Sequence, residues 1–204
     1  MTARARRHRY DRSVSSTTDS EVRDLLANGE NESAATLAIR ALGPPVLRYL
    51  RTMLRDEDEA KDAFSHWAES MWRGLPGFHW KSSLQTWAFR HAYHAALGLR
   101  DEAWRRHGRR FETGEASRIA ATIRTASGIR VERQRAILRK LRESLTLEEQ
   151  TLLDLRLDQG LTWDAIAEVL GREGERPDAG TVAKRFERLK ARLGEMLKRE
   201  GVHE

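Results

Sequence analysis

The sequence predicts an all-α protein built as two small helical domains, on three observations. Apolar residues recur at helical spacing in one segment after another. No stretch alternates apolar and polar residues over a length that would make a strand. Breaks in the periodicity coincide with Gly, Pro and Asn clusters, which punctuate elements. A chain of 204 residues suits one or two domains.

Residues 1–19 carry five arginines, then Ser and Thr, with almost no apolar content. They read as a disordered basic tail, either simply solvated or adding nonspecific phosphate affinity. Ser20 is placed to cap a short helix through Leu26 that stops at Asn28-Gly29. A second helix runs from Asn31 to Leu42 and ends before Gly43-Pro44-Pro45; a third carries Val46, Leu47, Leu50 and Leu54. From Asp58 to Trp72, Ala60, Ala63, Phe64, Trp67 and Met71 keep helical spacing, with Asp58 and Glu59 at the end where the macrodipole favours negative charge. Gly74, Pro76 and Gly77 then open a loop to Ser82, and a further helix extends from about Ser83 to Arg100. Its buried stripe is expected to be Leu84, Trp87, Ala88, Ala92 and Ala95, leaving Thr86, Arg90 and Tyr93 opposite.

Periodicity weakens from Ala103, so the first domain is placed at 20–102, a flexible linker at 103–130 with a transient helix at 116–125, and the second domain at 131–204. Ile137, Leu138 and Leu141 open the second domain, Thr146-Leu147-Glu148-Glu149 forms a capping box, and Gly160 ends the helix that it starts. Two amphipathic patterns follow: Trp163, Ile166, Ala167 and Leu170, then Phe186, Leu189 and Leu193. The pair reads as a helix-turn-helix. Its turn is lengthened beyond the usual roughly 3–4 residues by Arg172-Glu173-Gly174-Glu175-Arg176-Pro177, read as a solvated loop extension because closure cost grows slowly with length. The second helix carries Lys184, Arg185, Arg188, Lys190 and Arg192, cations suited to phosphates beside a major groove.

Composition narrows the function classes. A formal net charge of +6 with 33% charged residues favours an acidic macromolecular partner such as nucleic acid. The chain has no cysteine, which removes disulfides, thiolate chemistry and cysteine-based zinc sites and fits a cytoplasmic setting. No apolar run approaches the ~18 residues of a membrane span. No Gly-rich phosphate loop, serine nucleophile motif or apolar carboxylate pair is present, so no enzyme activity, cofactor or small-molecule substrate is expected. His91 and His94 stand three apart on a helix without a carboxylate or cysteine at hand, which favours packing or a DNA-facing role over metal binding.

Taken in order, the two halves resemble a bacterial RNA polymerase sigma factor of the extracytoplasmic-function (ECF) group, over roughly Val22 to Arg100 and Leu138 to Leu197. The residues that carry the resemblance are Leu47-Arg48-Tyr49-Leu50, Asp58-Glu59-Ala60-Lys61-Asp62 and Ser82-Ser83-Leu84-Gln85-Thr86-Trp87 in the first half. In the second they are Leu161-Thr162-Trp163, Ile166-Ala167, Leu170-Gly171, Gly180-Thr181-Val182 and Lys184-Arg185. The resemblance implies a second-region helical bundle and a fourth-region helix-turn-helix. The former docks on core RNA polymerase and captures the unpaired minus-ten promoter element. The latter reads the minus-thirty-five duplex.

By this resemblance Asp62, Ser65, His66 and Glu69 face the polymerase, although Asp62-Ala63-Phe64-Ser65-His66 replaces the common Asp-Leu-Val-Gln-Glu. The minus-ten contacts fall on Phe78, Trp80, Lys81, Ser82, Ser83, Gln85, Thr86, Arg90, Tyr93 and His94, where His94 and Gly98 stand in for a usual Asn and Asp. Melted DNA needs stacking surfaces and cations, and five of the six tryptophans lie between Trp67 and Trp104. Trp67, Trp72 and Trp87 fall on apolar stripes and are expected in the core, whereas Trp80, beside Lys81 in the loop, suits either role. The minus-thirty-five contacts fall on Asp178, Thr181, Lys184, Arg185 and Arg188, with Asp178 as the helix N-cap in place of a usual Ser. The implied partners are core RNA polymerase, promoter DNA and an anti-sigma protein of the kind many family members have. Two other readings stay open: a helix-turn-helix regulator that never joins polymerase, and a sigma-like protein acting through protein contacts alone.

Overall fold

A computed structural model describes residues 12–54, 56–100, 144–172 and 175–199. Residues 1–11 of the basic tail, the 103–130 linker with its transient helix, and the second-domain opening at Ile137, Leu138 and Leu141 lie outside the described residues.

Among the described residues the structure is helical throughout: α1 (Arg12–Ala27), α2 (Asn31–Met53), α3 (Glu57–Gly74), α4 (Leu84–Arg100), α5 (Leu147–Leu153), α6 (Trp163–Leu170) and α7 (Ala179–Arg199). A single 3-10 turn, Leu75–Gly77, follows α3, and a π-helical turn, Asp154–Asp158, extends α5. The all-α expectation holds.

Two element boundaries differ from the sequence reading. The tail was expected to run to Asp19, but α1 begins at Arg12, because Thr18 and Val22 bury against the bundle and give the segment a packing face. Ser20 therefore lies inside a helix and does not start one. More consequentially, the expected break at Gly43-Pro44-Pro45 is absent, and α2 runs unbroken through both prolines. Each proline removes one i to i−4 hydrogen bond, a change that costs roughly 3 kcal/mol in a helix interior. Burial on both sides offsets it: Ala35, Ala38, Ile39 and Leu42 before the prolines and Val46, Leu47, Tyr49, Leu50 and Met53 after them enter one core.

Caps define the other ends. Asp56 accepts from the backbone N–H of Asp58 and Glu59 and starts α3. At α5, Thr146 accepts from Glu149 N–H at 3.2 Å while the Glu149 carboxylate accepts from Thr146 N–H at 2.9 Å, the reciprocal box that the sequence predicts. Gly160, at φ +66, ends the π-helical turn in a conformation that disfavours any residue with a Cβ.

α1 to α4 form a bundle around Trp67, Phe64, Tyr49 and Phe89, all fully buried, with Trp67 Nε1 donating to the carbonyl of Ala88 at 3.0 Å. The second half does not stand apart. α6 packs on α4 and α5 on α2, so the buried apolar residues of both halves form one continuous cluster. At the junction the Tyr49 and Thr151 hydroxyls share a buried hydrogen bond of 2.9 Å, and Thr151 Oγ1 also donates to Met53 Sδ at 3.4 Å.

Candidate nucleic-acid interface

The loop between α3 and α4 presents a row of rings. Trp80 meets Phe78 at 4.9 Å between centroids, Phe78 stacks on Trp87 at 4.8 Å, and Trp87 meets His91 edge-on at 4.6 Å. Arg23 of α1 closes the row with its guanidinium 4.5 Å from the Trp80 ring. Trp80 holds a left-handed backbone at φ +57, a conformation that bulky residues rarely adopt and that persists only where surrounding contacts fix it. Both Arg23 and Phe78 contact the indole. The row borders a cleft of about 440 Å3 lined by Phe78, Lys81, Trp87 and Arg90 from the first half and by Arg172 and Arg176 from the second. Rings and cations together are what an unstacked base and its phosphates require.

The start of α4 is built from residues expected to touch DNA. Ser83 Oγ accepts from Thr86 N–H at 3.1 Å and pairs with the Thr86 hydroxyl at 2.8 Å, while Asp19 of α1 accepts from Leu84 N–H at 3.4 Å. Ser83 is thus the N-cap of α4. Burial raises the pKa of Asp19, against the opposing effects of the Leu84 N–H and Arg23.

The expected faces of α4 need correction. Leu84, Ala88, Ala92 and Ala95 are buried as expected, but Trp87 is only partly so, and Thr86 and Tyr93, placed on the open side, are each just 3% exposed. Gln85 is also buried. The reason is α6, which packs on the side of α4 left for DNA, together with Phe89, which extends the buried stripe into the bundle. Of the ten minus-ten candidates, Phe78, Trp80, Lys81, Ser82 and Arg90 lie at or beside the ring row and cleft. Ser83, Gln85, Thr86 and Tyr93 are taken up by capping or burial, and His94 is half-buried against Tyr93. Burial also holds the His91 imidazole down at about 4, with the neighbouring His94 and Arg90 acting in the same direction.

On α3, Asp62 is exposed and Ser65 is half-buried, its hydroxyl donating to the Lys61 carbonyl at 3.0 Å. His66 is half-buried and its pKa lowered by burial, against Asp62 and Glu69. Glu69, expected on the docking surface, is buried and paired with Arg73 at 2.6 Å, so the carboxylate serves its own helix.

α6 and α7 lie where the two helices of a helix-turn-helix are expected and are joined by ring packing of Trp163 on Phe186 at 5.3 Å. Thr162 caps α6, its hydroxyl oxygen accepting from Ala165 N–H at 3.3 Å. Asp178 caps α7 by accepting from Thr181 N–H at 2.8 Å, and the Thr181 hydroxyl also donates to it. Both residues therefore hold the helix start. Thr181, expected among the minus-thirty-five contacts, is committed to Asp178. Lys184 and Arg188 are exposed on α7, while Arg185 is ion-paired with Glu148 of α5.

Of the insertion, Arg172 and Glu175 exchange backbone hydrogen bonds of 2.9 and 3.1 Å. Arg176 donates to the Asp164 carbonyl at 3.0 Å, and burial raises the pKa of Tyr93 of α4 against the lowering effect of Arg172. Sequence reasoning missed Arg23, Asp19, Arg172 and Arg176 as parts of this surface. Each is an ordinary charged residue, and only tertiary packing brings it to the ring row.

Comparison with known families matches residues 38–110 to Sigma-70 region 2. Comparison with curated proteins and with solved structures gives no match. The matched segment spans most of α2, all of α3 and α4, and the ring row between them. Sigma-70 region 2 takes part in core RNA polymerase binding and promoter melting. The rings and cations from Phe78 to Arg90 lie inside this matched segment, over which the chain is similar to Sigma-70 region 2.

Proposed function

We propose that the chain is a promoter-specificity subunit of the ECF type, in which α1 to α4 dock on core RNA polymerase and hold melted minus-ten bases while α6 and α7 read the minus-thirty-five duplex. The observation that carries this reading is the row Trp80, Phe78, Trp87 and His91 beside Lys81 and Arg90, inside the segment that matches region 2. Stacking on such rings is worth about 1–3 kcal/mol per base and offsets part of the unstacking cost. The work is binding, not bond making, and calls for no cofactor. The exposed Lys184 and Arg188 on α7 supply phosphate contacts that position the helix.

Sedimentation of the chain with and without core polymerase tests the reading. A one-to-one complex is expected. A homodimer that ignores core polymerase and binds a two-fold operator would instead make it an ordinary helix-turn-helix regulator.

A further inference from the structure

We propose that α1 is a positioning brace for the base-capturing loop: Arg23 fixes the Trp80 indole and Asp19 fixes the start of α4, so that one face of α1 holds both ends of the segment from Trp80 to Leu84. The inference rests on the base-capture reading above and adds to it two positioning residues that lie outside the segment matching Sigma-70 region 2.

Three observations carry it. First, Asp19 and Arg23 stand four residues apart on α1, a spacing that puts both side chains on one side of a helix. The Arg23 guanidinium lies 4.5 Å from the centre of the Trp80 ring, and the Asp19 carboxylate accepts from Leu84 N–H at 3.4 Å. Lys81, Ser82 and Ser83 fall between these two contacts. Second, Trp80 is the residue of this loop that needs holding. Among the described residues it is the one non-glycine residue with a positive φ, at +57. A bulky residue leaves that region for negative φ unless contacts oppose the change, and an indole that turns with its backbone loses the 4.9 Å contact with Phe78 and with it the row. Third, α1 is itself anchored. Thr18 and Val22 are buried and the helix packs on α2, so Asp19 and Arg23 project from a fixed support. Arg23 sits over the indole and acts on a bound base through Trp80, which is what makes it a positioning residue.

Amide NMR spectra and single-strand binding of the full chain test the brace. Arg23 is exposed, so Arg23→Ala spares the core. It is expected to shift and broaden the Trp80 and Lys81 resonances while Trp67, buried in the bundle, keeps its own. Asp19→Ala, the second variant, is expected to speed hydrogen exchange at Leu84 N–H several-fold. Binding is read as quenching of tryptophan fluorescence by a short mixed-sequence single-stranded DNA. Arg23→Ala is expected to weaken it about three- to tenfold, and Arg23→Lys to retain most of it. In a chain that already carries Trp80→Ala, adding Arg23→Ala is expected to cost little more, because the one residue acts through the other. The slope of affinity against salt is expected to stay the same in Arg23→Ala. A loss that adds in full to that of Trp80→Ala, with a salt slope smaller by about 1, makes Arg23 a direct phosphate contact and overturns the brace. Unmoved Trp80 and Lys81 resonances overturn it as well. An unaltered chain that binds no single strand overturns the base-capture reading, and the inference falls with it. A chain that binds the strand and ignores both substitutions overturns the inference alone.

Discussion

His91 sits against Trp87 inside the ring row, and burial holds its pKa at about 4, below the ordinary 6.5. Between those values the unfolded chain binds the proton and the folded chain does not, so stability is fully present above pH 6.5 and falls as the pH drops toward 4. A depression of this size corresponds to about 3 kcal/mol. Thermal unfolding across that range is expected to show a steep loss in the unaltered protein and a shallower one in His91→Gln. Equal slopes would mean that the imidazole titrates normally. His66, lowered by burial on α3, contributes in the same direction and leaves a residual slope. At this scale the sequence disclosed residue types but not their duties. Ser83, Thr181 and Asp178 are short polar residues at helix starts, where a capping role and a DNA contact have the same sequence signature; the hydrogen bonds assign them to capping.

Periodicity located α3, α4, α6 and α7 to within a few residues, because each carries a long apolar stripe. It failed at α2, where the local signal of Gly43-Pro44-Pro45 is a break and the outcome is set by burial on both sides. Pro44 is exposed and Pro45 is buried. Pro44→Ala restores a backbone donor on the solvent side and is expected to raise the unfolding midpoint, whereas a lowered midpoint would show that the ring itself packs usefully. The open face of α4 was misread for a related reason: no periodicity within α4 reveals that α6 will cover it. On α7, Lys184→Ala and Arg188→Ala are each expected to reduce the salt dependence of promoter-duplex binding by a slope of about 1. Arg185→Ala is expected to change it less, because Arg185 already pairs with Glu148. Slopes unchanged by all three replacements would count against α7 as the duplex-reading helix.

For the whole molecule, the fold class follows from patterning and the first-half bundle from the resemblance, whereas the ring row was legible only in part, because Trp87 was expected in the core. The union of the two halves was not legible. It depends on Tyr49, Thr151, Tyr93 and Arg172 meeting across more than a hundred residues of chain in one case and nearly eighty in the other, contacts for which a single sequence holds no local signal. This arrangement places Arg172 and Arg176 of the insertion beside the Phe78 and Trp87 rings. Reconstitution with core RNA polymerase on a whole-genome template, followed by mapping of transcript starts, tests the central claim most directly. The account predicts a discrete set of starts that appears only when the chain is added and that is lost when Trp80 and Lys81 are both replaced by Ala. Core polymerase that gains no specific starts from the chain would contradict it.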